Sequence, residues 1–405
     1  MSSEPVFKFS RRVQAVKPSA TMAMSARALE LRRAGREIAS LSVGEPDFPV
    51  FPHVARAIEE ALAKGYTKYT ASPGTPELRE AIARRTKLET GVTYTTAQIV
   101  ATAGAKQALY NACQALLDEG DEAIVPNPYW VSYPDMAKLA GATVRELVMT
   151  AADNWAPRPE ALEKAITPKT RVVILGSPSN PTGAVWSDKT LRGLADVLLR
   201  HPQVAILSDE IYGRLVYGGV GARSLLQVAP ELTPRTVLVN GCSKAYAMTG
   251  LRLGWAAGPS KIIAAMNKVQ DASTSNPSTL SQYAAIAALN GPQEPVEAMR
   301  VQFERRRDLM HSLVTAIPGV TSPRPDGAYY VFPDVSAYLG KKFRGEPVGG
   351  TVRIAEILLE EHGVAVVPGS AFGPEGYLRL SFATSDEEIR RGVDRMRQGL
   401  LALEG

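Results

Sequence analysis

Four apolar runs in this 405-residue chain each end in residues equipped for chemistry. After VVIL comes GSPSNPTG (176–183), which offers the amide of Asn180. After VAIL comes SDEIY, with the carboxylate of Asp209 and the phenol of Tyr212. After TVLV comes NGCSKAYAMTGLRLG (240–254), with the amine of Lys244 and the guanidinium of Arg252. After VATAG comes Ala105-Lys106-Gln107, which reads as a helix start. In open α/β sheets ligands bind beyond the carboxyl ends of the strands. Four neighbouring strand ends with this set of groups would suit an anionic ring compound carrying a phosphate, the phosphate lying on the helix N-terminus.

The elements that must position these groups follow from periodicity. Strand candidates are AQIVATAG (97–104), DEAIVP (121–126), RVVILG (171–176), QVAILSDE (203–210) and RTVLVNG (235–241). Helical stretches separate most of them. HVARAIEEALAKG (53–65) places Val54, Ala55, Ile58, Ala61 and Leu62 on one face and stops at Gly65. PELREAIARRTKLETG (76–91) reads the same way. This alternation argues for an α/β fold with a largely parallel sheet covered by helices on both faces. After about residue 290 the character changes. A long charged helix (293–317) is followed by short strands, AYYVFPDV (328–335), VAVVPG (364–369) and YLRLSFA (377–383), and by a last helix opened by Ser385. The expected division is a large domain over 51–292 and a smaller α+β domain over 1–50 and 293–405.

Composition removes several function classes. The chain is 45% hydrophobic and 21% charged, as in ordinary globular proteins. No apolar run approaches the ~20 residues that span a bilayer, and the first twenty residues lack the apolar stretch of a secretory signal. Two cysteines, Cys113 and Cys242, imply no disulfide framework and fit a cytoplasmic protein. The net charge of +5 is scattered, with no basic stripe for nucleic acid. The dinucleotide, P-loop and nucleophile-elbow fingerprints are all missing, and the four histidines form no metal-ligand pair.

A set of motifs then runs along nearly the whole chain: SVGEPDF (42–48), YTKYTASPGTPELREAIA (66–83), PYWVSYPDM (128–136), SPSNPTGAV (177–185), SDEIY (208–212), SKAYAMTGLRLGWAAGP (243–259) and VVPGSAFGPEGYLRLSFA (366–383). In content and order they resemble the class I, fold-type I aminotransferases that use pyridoxal 5′-phosphate (PLP). RRVQAVKPSAT (11–21) is similar to the bacterial I-gamma branch of aspartate aminotransferases, some of which also transaminate prephenate. The resemblance implies a large domain with a mostly parallel seven-stranded sheet, a smaller α+β domain, and a homodimer with shared active sites. It implies ping-pong transfer of an amino group from aspartate to 2-oxoglutarate, giving oxaloacetate and glutamate, with prephenate as a further acceptor leading to arogenate. Aromatic or alanine transamination and C–S β-elimination are the alternatives on the same scaffold. A PLP-binding regulator is disfavoured, because only about 40 residues precede SVGEPDF and leave no room for a DNA-binding domain.

Residue roles carry over motif by motif. Lys244 would hold the cofactor aldehyde as a Schiff base and move the proton. Asp209 would face the pyridine nitrogen, with Tyr212 and Asn180 on the phenolic oxygen. Gly104, Ala105, Lys106, Ser243 and Arg252 would hold the phosphate, joined by Tyr69 of the partner subunit. The family often carries a hydroxyl residue where this chain has Gly241, which leaves open whether Ser243 replaces that contact. Trp130 would stack on the ring, with core packing as its alternative role. Arg379, an arginine among apolar neighbours, would clamp the substrate α-carboxylate with Gly44 and Asn180. Lys106 would meet a distal carboxylate, and Lys17 and Thr21 would close over the site and recognise prephenate; as isolated residues these three read equally as solvated side chains.

Overall fold

The computed structural model describes residues 7–16, 18, 20–221 and 223–405. Its main sheet has seven strands: β1 (Ile99–Thr102), β2 (Glu122–Asn127), β3 (Thr143–Val148), β4 (Thr170–Gly176), β5 (Ala205–Asp209), β6 (Thr236–Gly241) and β7 (Gly254–Ala257). They lie in the order β1-β7-β6-β5-β4-β2-β3. Strands β2 to β6 pair in parallel with their neighbours, while β7 runs antiparallel to both β6 and β1. The parallel strands of the centre are buried on both faces and therefore read as unbroken apolar runs.

Two strands escaped the sequence reading for physical reasons. β3 is an edge strand, TVRELV, in which only Leu147 is fully buried. β7 is only four residues, GWAA, and begins with a glycine. Its presence corrects the expected topology. The ends of β4, β5 and β6 are neighbours, but β7 lies between β6 and β1, so the helix start after β1 is not on an adjacent strand.

Gly241 and Gly254 face one another in the β6–β7 register. A Cβ on Gly241 would lie 2.9 Å from both the Gly254 Cα and the Leu253 carbonyl oxygen. One on Gly254 would collide with the backbone of Gly104 and Ala105. The missing side chain at Gly254 thus lets the helix start at Ala105 press against the sheet, and at Gly241 a side chain would crowd the neighbouring strand.

Helices cover the sheet. An N-terminal helix α1 spans Ala20–Arg33. α2 (Pro52–Ala63) buries Val54 and Ala61 and ends before Gly65, whose φ is +73°. Leu62 was expected on that buried face; it is 57% exposed in the chain. α3 (Pro76–Thr90) is capped by Thr75, whose hydroxyl accepts from Leu78 N–H, and stops at left-handed Gly91. α4 (Ala105–Leu116) and α5 (Ser132–Leu139) carry residues of the site described below. α6 (Ser260–Asp271) and α7 (Thr279–Asn290) pack on the outer strands and on α2 to α4. α8 (Glu294–Thr315) leads to the remaining small sheets, and α9 (Asp386–Leu401) closes the chain with Ser385 as its cap.

A three-stranded antiparallel sheet joins Val367–Pro368, Leu378–Ser381 and Tyr330–Val331. Ala39–Ser40 pairs in parallel with Val364–Ala365, which ties the N-terminal segment to the C-terminal part of the chain. The expected strand over 328–335 shortens to two residues because Ala328 takes φ +55° and turns the chain.

Replacing Gly254 with Ala should lower the melting temperature of the protein, since overpacking against backbone costs about 1–3 kcal/mol. A melting curve unchanged from the parent would contradict the close approach of α4 to β7.

Candidate active site

A single cavity of about 710 Å³ opens at the carboxyl ends of β4, β5 and β6 and the start of α4. It gathers Asn180, Asp209, Tyr212, Ser243, Lys244 and Arg252, together with Thr21, Gly44, Ala105, Lys106, Trp130 and Arg379. Three expected residues are not among its lining; one of them, Gly104, immediately precedes Ala105 in the chain. Tyr69 is 92% exposed and outside the cavity of its own chain. Lys17 lies outside the described residues.

Asp209 ends β5 and is 5% exposed. Its Oδ2 accepts from the Tyr133 hydroxyl at 2.7 Å and its Oδ1 from the Ile211 N–H at 3.2 Å. Burial pushes its carboxyl up to about 6, held back by the two hydrogen bonds and by the charge of Lys244. Such a carboxylate is short of a cation.

Lys244 follows β6 through a tight turn. Its Nζ donates to the Gly44 carbonyl at 2.7 Å and lies 5.9 Å from the ring centre of Tyr212 and 5.7 Å from that of Tyr329. Desolvation lowers its pKa to about 8; the nearby Arg379 and Arg252 add to this, while Glu45 and Asp209 oppose it. The amine is thus readily available in its neutral, nucleophilic form.

Tyr212 is buried, and its hydroxyl shares a 2.9 Å hydrogen bond with that of Tyr330. Desolvation and the Tyr330 hydroxyl raise its pKa well above the ordinary phenol value, so it stays protonated and able to donate. The Tyr329 hydroxyl donates to the same Gly44 carbonyl at 2.9 Å. A Cβ on Gly44 would sit 2.8 Å from the Tyr330 hydroxyl oxygen, so this position has no room for a side chain.

Arg379 in Leu378–Ser381 is 3% exposed. One terminal nitrogen donates to Asn180 Oδ1 at 3.2 Å and the other to the Ser42 carbonyl at 2.7 Å. The guanidinium lies 4.6 Å from the ring centre of Tyr330 and 4.9 Å from that of Phe372. Its Nε is buried and has no hydrogen-bond partner among the described residues. Among the described residues no carboxylate forms an ion pair with it. A buried cation held only by neutral acceptors is suited to an incoming anion.

At the other end, Gly104 caps α4 with φ +87°. A Cβ there would lie 2.6 Å from an Arg252 Nη atom. The N–H groups of the first turn at Ala105 and Lys106 have no intrahelical acceptor, and Arg252, itself at φ +52°, anchors on the Thr249 carbonyl at 2.8 Å. Lys106 sends its Nζ over Trp130, 4.8 Å from the ring centre. Partial desolvation and the Arg252 guanidinium lower its pKa, opposed by Asp135. Thr21 Oγ1, buried at the cavity wall, has no hydrogen-bond partner among the described residues.

Three participants were not named from the sequence. Tyr133 sits one helical turn after Trp130 in PYWVSYPDM, and its ring meets Trp130 edge-on. The spacing was visible, but nothing in one sequence shows which carboxylate a phenol will reach. Tyr329 and Tyr330 are adjacent and, as strand residues, should face opposite sides. The turn at Ala328 and the two-residue strand bring both rings against Tyr212.

Comparison with known proteins agrees with this geometry. The family model for aminotransferase class I and II matches residues 36–396. An aspartate/prephenate aminotransferase of Cereibacter sphaeroides is 48% identical over 382 residues, covering 94% of this chain and 96% of the relative. The crystal structure of the aspartate aminotransferase from Rhizobium meliloti superposes with a TM-score of 0.95 at 42% identity, over 98% of this chain and all of that one. The Thermus thermophilus aspartate aminotransferase solved with maleate gives 0.91 at 44% identity, over 97% of this chain and all of that one. By fold, by motif and by the residues around its cavity, this chain belongs to the class I and II aminotransferases.

Proposed function

We propose that this aminotransferase uses PLP to move the amino group of aspartate to 2-oxoglutarate by a ping-pong cycle, with prephenate as a further acceptor, in a cytoplasmic homodimer. The observation that carries the reading is the meeting, in one cavity, of a partly neutral lysine, a buried carboxylate lacking a cation and a buried guanidinium lacking an anion. The names of the three relatives, all aspartate or aspartate/prephenate aminotransferases and one of them solved with the dicarboxylate maleate, support the substrate class.

The residues present fit the cofactor. The cradle at Gly104 that a Cβ would fill, the free N–H groups of α4, Ser243 and Arg252 would hold its phosphate. Asp209 would meet the ring nitrogen and gain the cation it lacks. Tyr133, donating to Asp209, would keep that carboxylate aimed. Tyr212 and Asn180 would donate to the phenolic oxygen, Trp130 would cover the ring face, and Lys244 would be the point of attachment. When bound, the cofactor supplies an electron sink that weakens the substrate Cα–H bond.

The chain's own groups do the rest. Arg379, with Asn180 and the Gly44 backbone beside it, would hold the α-carboxylate and fix the Cα–H bond relative to Lys244. Lys244 Nζ, neutral in part near pH 7 because burial lowers its pKa to about 8, would take the Cα proton and later give it back. Lys106 would offer its ammonium to a distal carboxylate, and Thr21 its unpartnered hydroxyl to the same end of the ligand. Tyr69, exposed on its own chain, would reach the phosphate of a partner subunit. The division into units over 51–292 and over 1–50 with 293–405 belongs to the same proposal. It is supported by the seven-stranded sheet lying wholly in the first unit and the small sheets in the second.

Rapid mixing of the holoenzyme with aspartate should bleach the visible cofactor absorbance within one turnover, and 2-oxoglutarate should restore it. No bleaching by aspartate, with bleaching by a neutral or aromatic amino acid instead, would sink the substrate assignment. Replacing Lys106 with Ala should cut kcat/KM for dicarboxylic substrates roughly 10- to 100-fold, the range for losing a hydrogen bond to a charge, and leave alanine turnover within a few-fold. An equal loss for both classes would remove Lys106 from the specificity end of the cavity. The rate at which apoenzyme captures PLP should rise with pH and level off above about 8, as the Lys244 ammonium loses its proton. A rate still climbing toward the ordinary lysine value would mean that the amine is not desolvated.

A further inference from the structure

The segment between α2 and α3, residues 66–75, has no helix or strand, yet its backbone is tied down at close intervals. Two glutamines with no exposed surface do most of this. Gln282 of α7 accepts from the Thr75 N–H at 2.9 Å through its Oε1. Its Nε2 donates to Thr70 Oγ1 and to the Pro277 carbonyl, both at 2.9 Å. Gln270 of α6 donates from Nε2 to the Ser72 carbonyl at 2.7 Å and to the Ala101 carbonyl at 2.9 Å. Asn111 of α4 donates to Gln270 Oε1 at 3.1 Å. Thr279 at the start of α7 donates to the Lys68 carbonyl at 2.7 Å, and Tyr66 stacks on Tyr283 at 4.6 Å between ring centres.

One side chain in the middle of this fixed segment is left out. Tyr69 is anchored on both sides, at the Lys68 carbonyl and at Thr70, and is 92% exposed, the highest value among the exposed large hydrophobic residues. Holding a loop with fully buried glutamines is costly, because every amide hydrogen and oxygen must be matched. A surface tyrosine with no task gains nothing from that. A tyrosine that must enter another subunit's site in one conformation gains directly, because the entropy of ordering the loop is removed before docking.

We infer that Gln282, supported by Gln270, is a positioning residue that acts in trans: it holds the 66–75 loop so that Tyr69 meets the cofactor phosphate bound by the partner subunit. The inference rests on the proposed dimer with shared sites and adds to it the residues that make the sharing possible. Each chain then contributes a catalytic cavity for itself and a rigid pedestal for its partner, and damage to the pedestal is felt in the other chain.

Hybrid dimers test this. Gln282→Met keeps the volume of the side chain but strands the Thr75 N–H and removes the donor to Thr70 Oγ1 and the Pro277 carbonyl. The homodimer of this variant should bind PLP about tenfold more weakly, read as the dissociation constant from the visible absorbance of the lysine-bound cofactor. A hybrid is then made with a differently tagged Lys244→Ala chain, so that only the Gln282→Met chain has an attachment lysine. That surviving site receives an unaltered loop, so its PLP affinity should return to the parent value. A hybrid as weak as the variant homodimer, or a variant homodimer as tight as the parent, would overturn the inference. Thr70→Val, which removes the same hydrogen bond from the loop side and spares the core, should show a smaller loss with the same recovery; if Gln282→Met does not fold, the absence of that pattern in Thr70→Val overturns the inference equally. A parallel hybrid with Tyr69→Phe separates the two levels. If Tyr69→Phe fails to recover in its hybrid, the shared-site reading has fallen. If Tyr69→Phe recovers and Gln282→Met does not, only the positioning role has.

Discussion

Moving the Lys244 ammonium away from bulk water, with two guanidinium groups near it, is the constraint on which the rest of the site depends. Arg379 and Arg252 disfavour its charged form, and Asp209 and Glu45 only partly compensate. The result is an amine that titrates near 8 and is ready to react at neutral pH. That state requires a scaffold able to hold several unpaired charges within one cavity without collapsing onto them. The parallel strands provide it: β4, β5 and β6 end side by side, each fixed by a core buried on both faces.

The same logic separates the two ends of the cavity. Near Lys244, charges are left incomplete. Among the described residues, Asp209 has hydrogen bonds but no bonded cation, and Arg379 has neutral acceptors but no anion. These are the places where a protonated ring nitrogen and a carboxylate would complete the electrostatics. At the mouth, Lys106 is half-shielded by Trp130 and balanced by Asp135, so it can meet an anion and release it. In the proposed reading, recognition of the α-carboxylate would rest on a rigid buried strand, and recognition of the distal group on a looser side chain. Gly254 supplies the remaining requirement, a helix start close enough to bring its N–H groups to the cavity.

Much of this was legible in the sequence, because strands buried on both faces are short apolar runs and their last residues are therefore easy to place. Asn180, Asp209, Tyr212 and Lys244 were found in that way. The start of α4 was found too, although the strand before it is separated from β6 by β7. What stayed hidden depends on contacts between distant segments. Tyr133 is one aromatic among several until it is seen 2.7 Å from Asp209. Tyr329 and Tyr330 defeat the alternation rule because a positive φ at Ala328 twists them toward one side. Leu62 reads as core by helical periodicity yet is 57% exposed. Gln270 and Gln282 belong to none of the motifs; only their complete burial marks them as structural. β3 fails as a prediction because an edge strand mixes polar and apolar side chains.

The central claim is that Lys244, and no other amine of the cavity, is the attachment point. Lys106 is the natural competitor, since it lines the same cavity and its pKa is also lowered. The enzyme reconstituted with PLP can be reduced with borohydride, digested and mapped by mass spectrometry. The account predicts a single reduced phosphopyridoxyl adduct on the peptide that contains Lys244. An adduct on Lys106, or one spread over surface lysines, would contradict it.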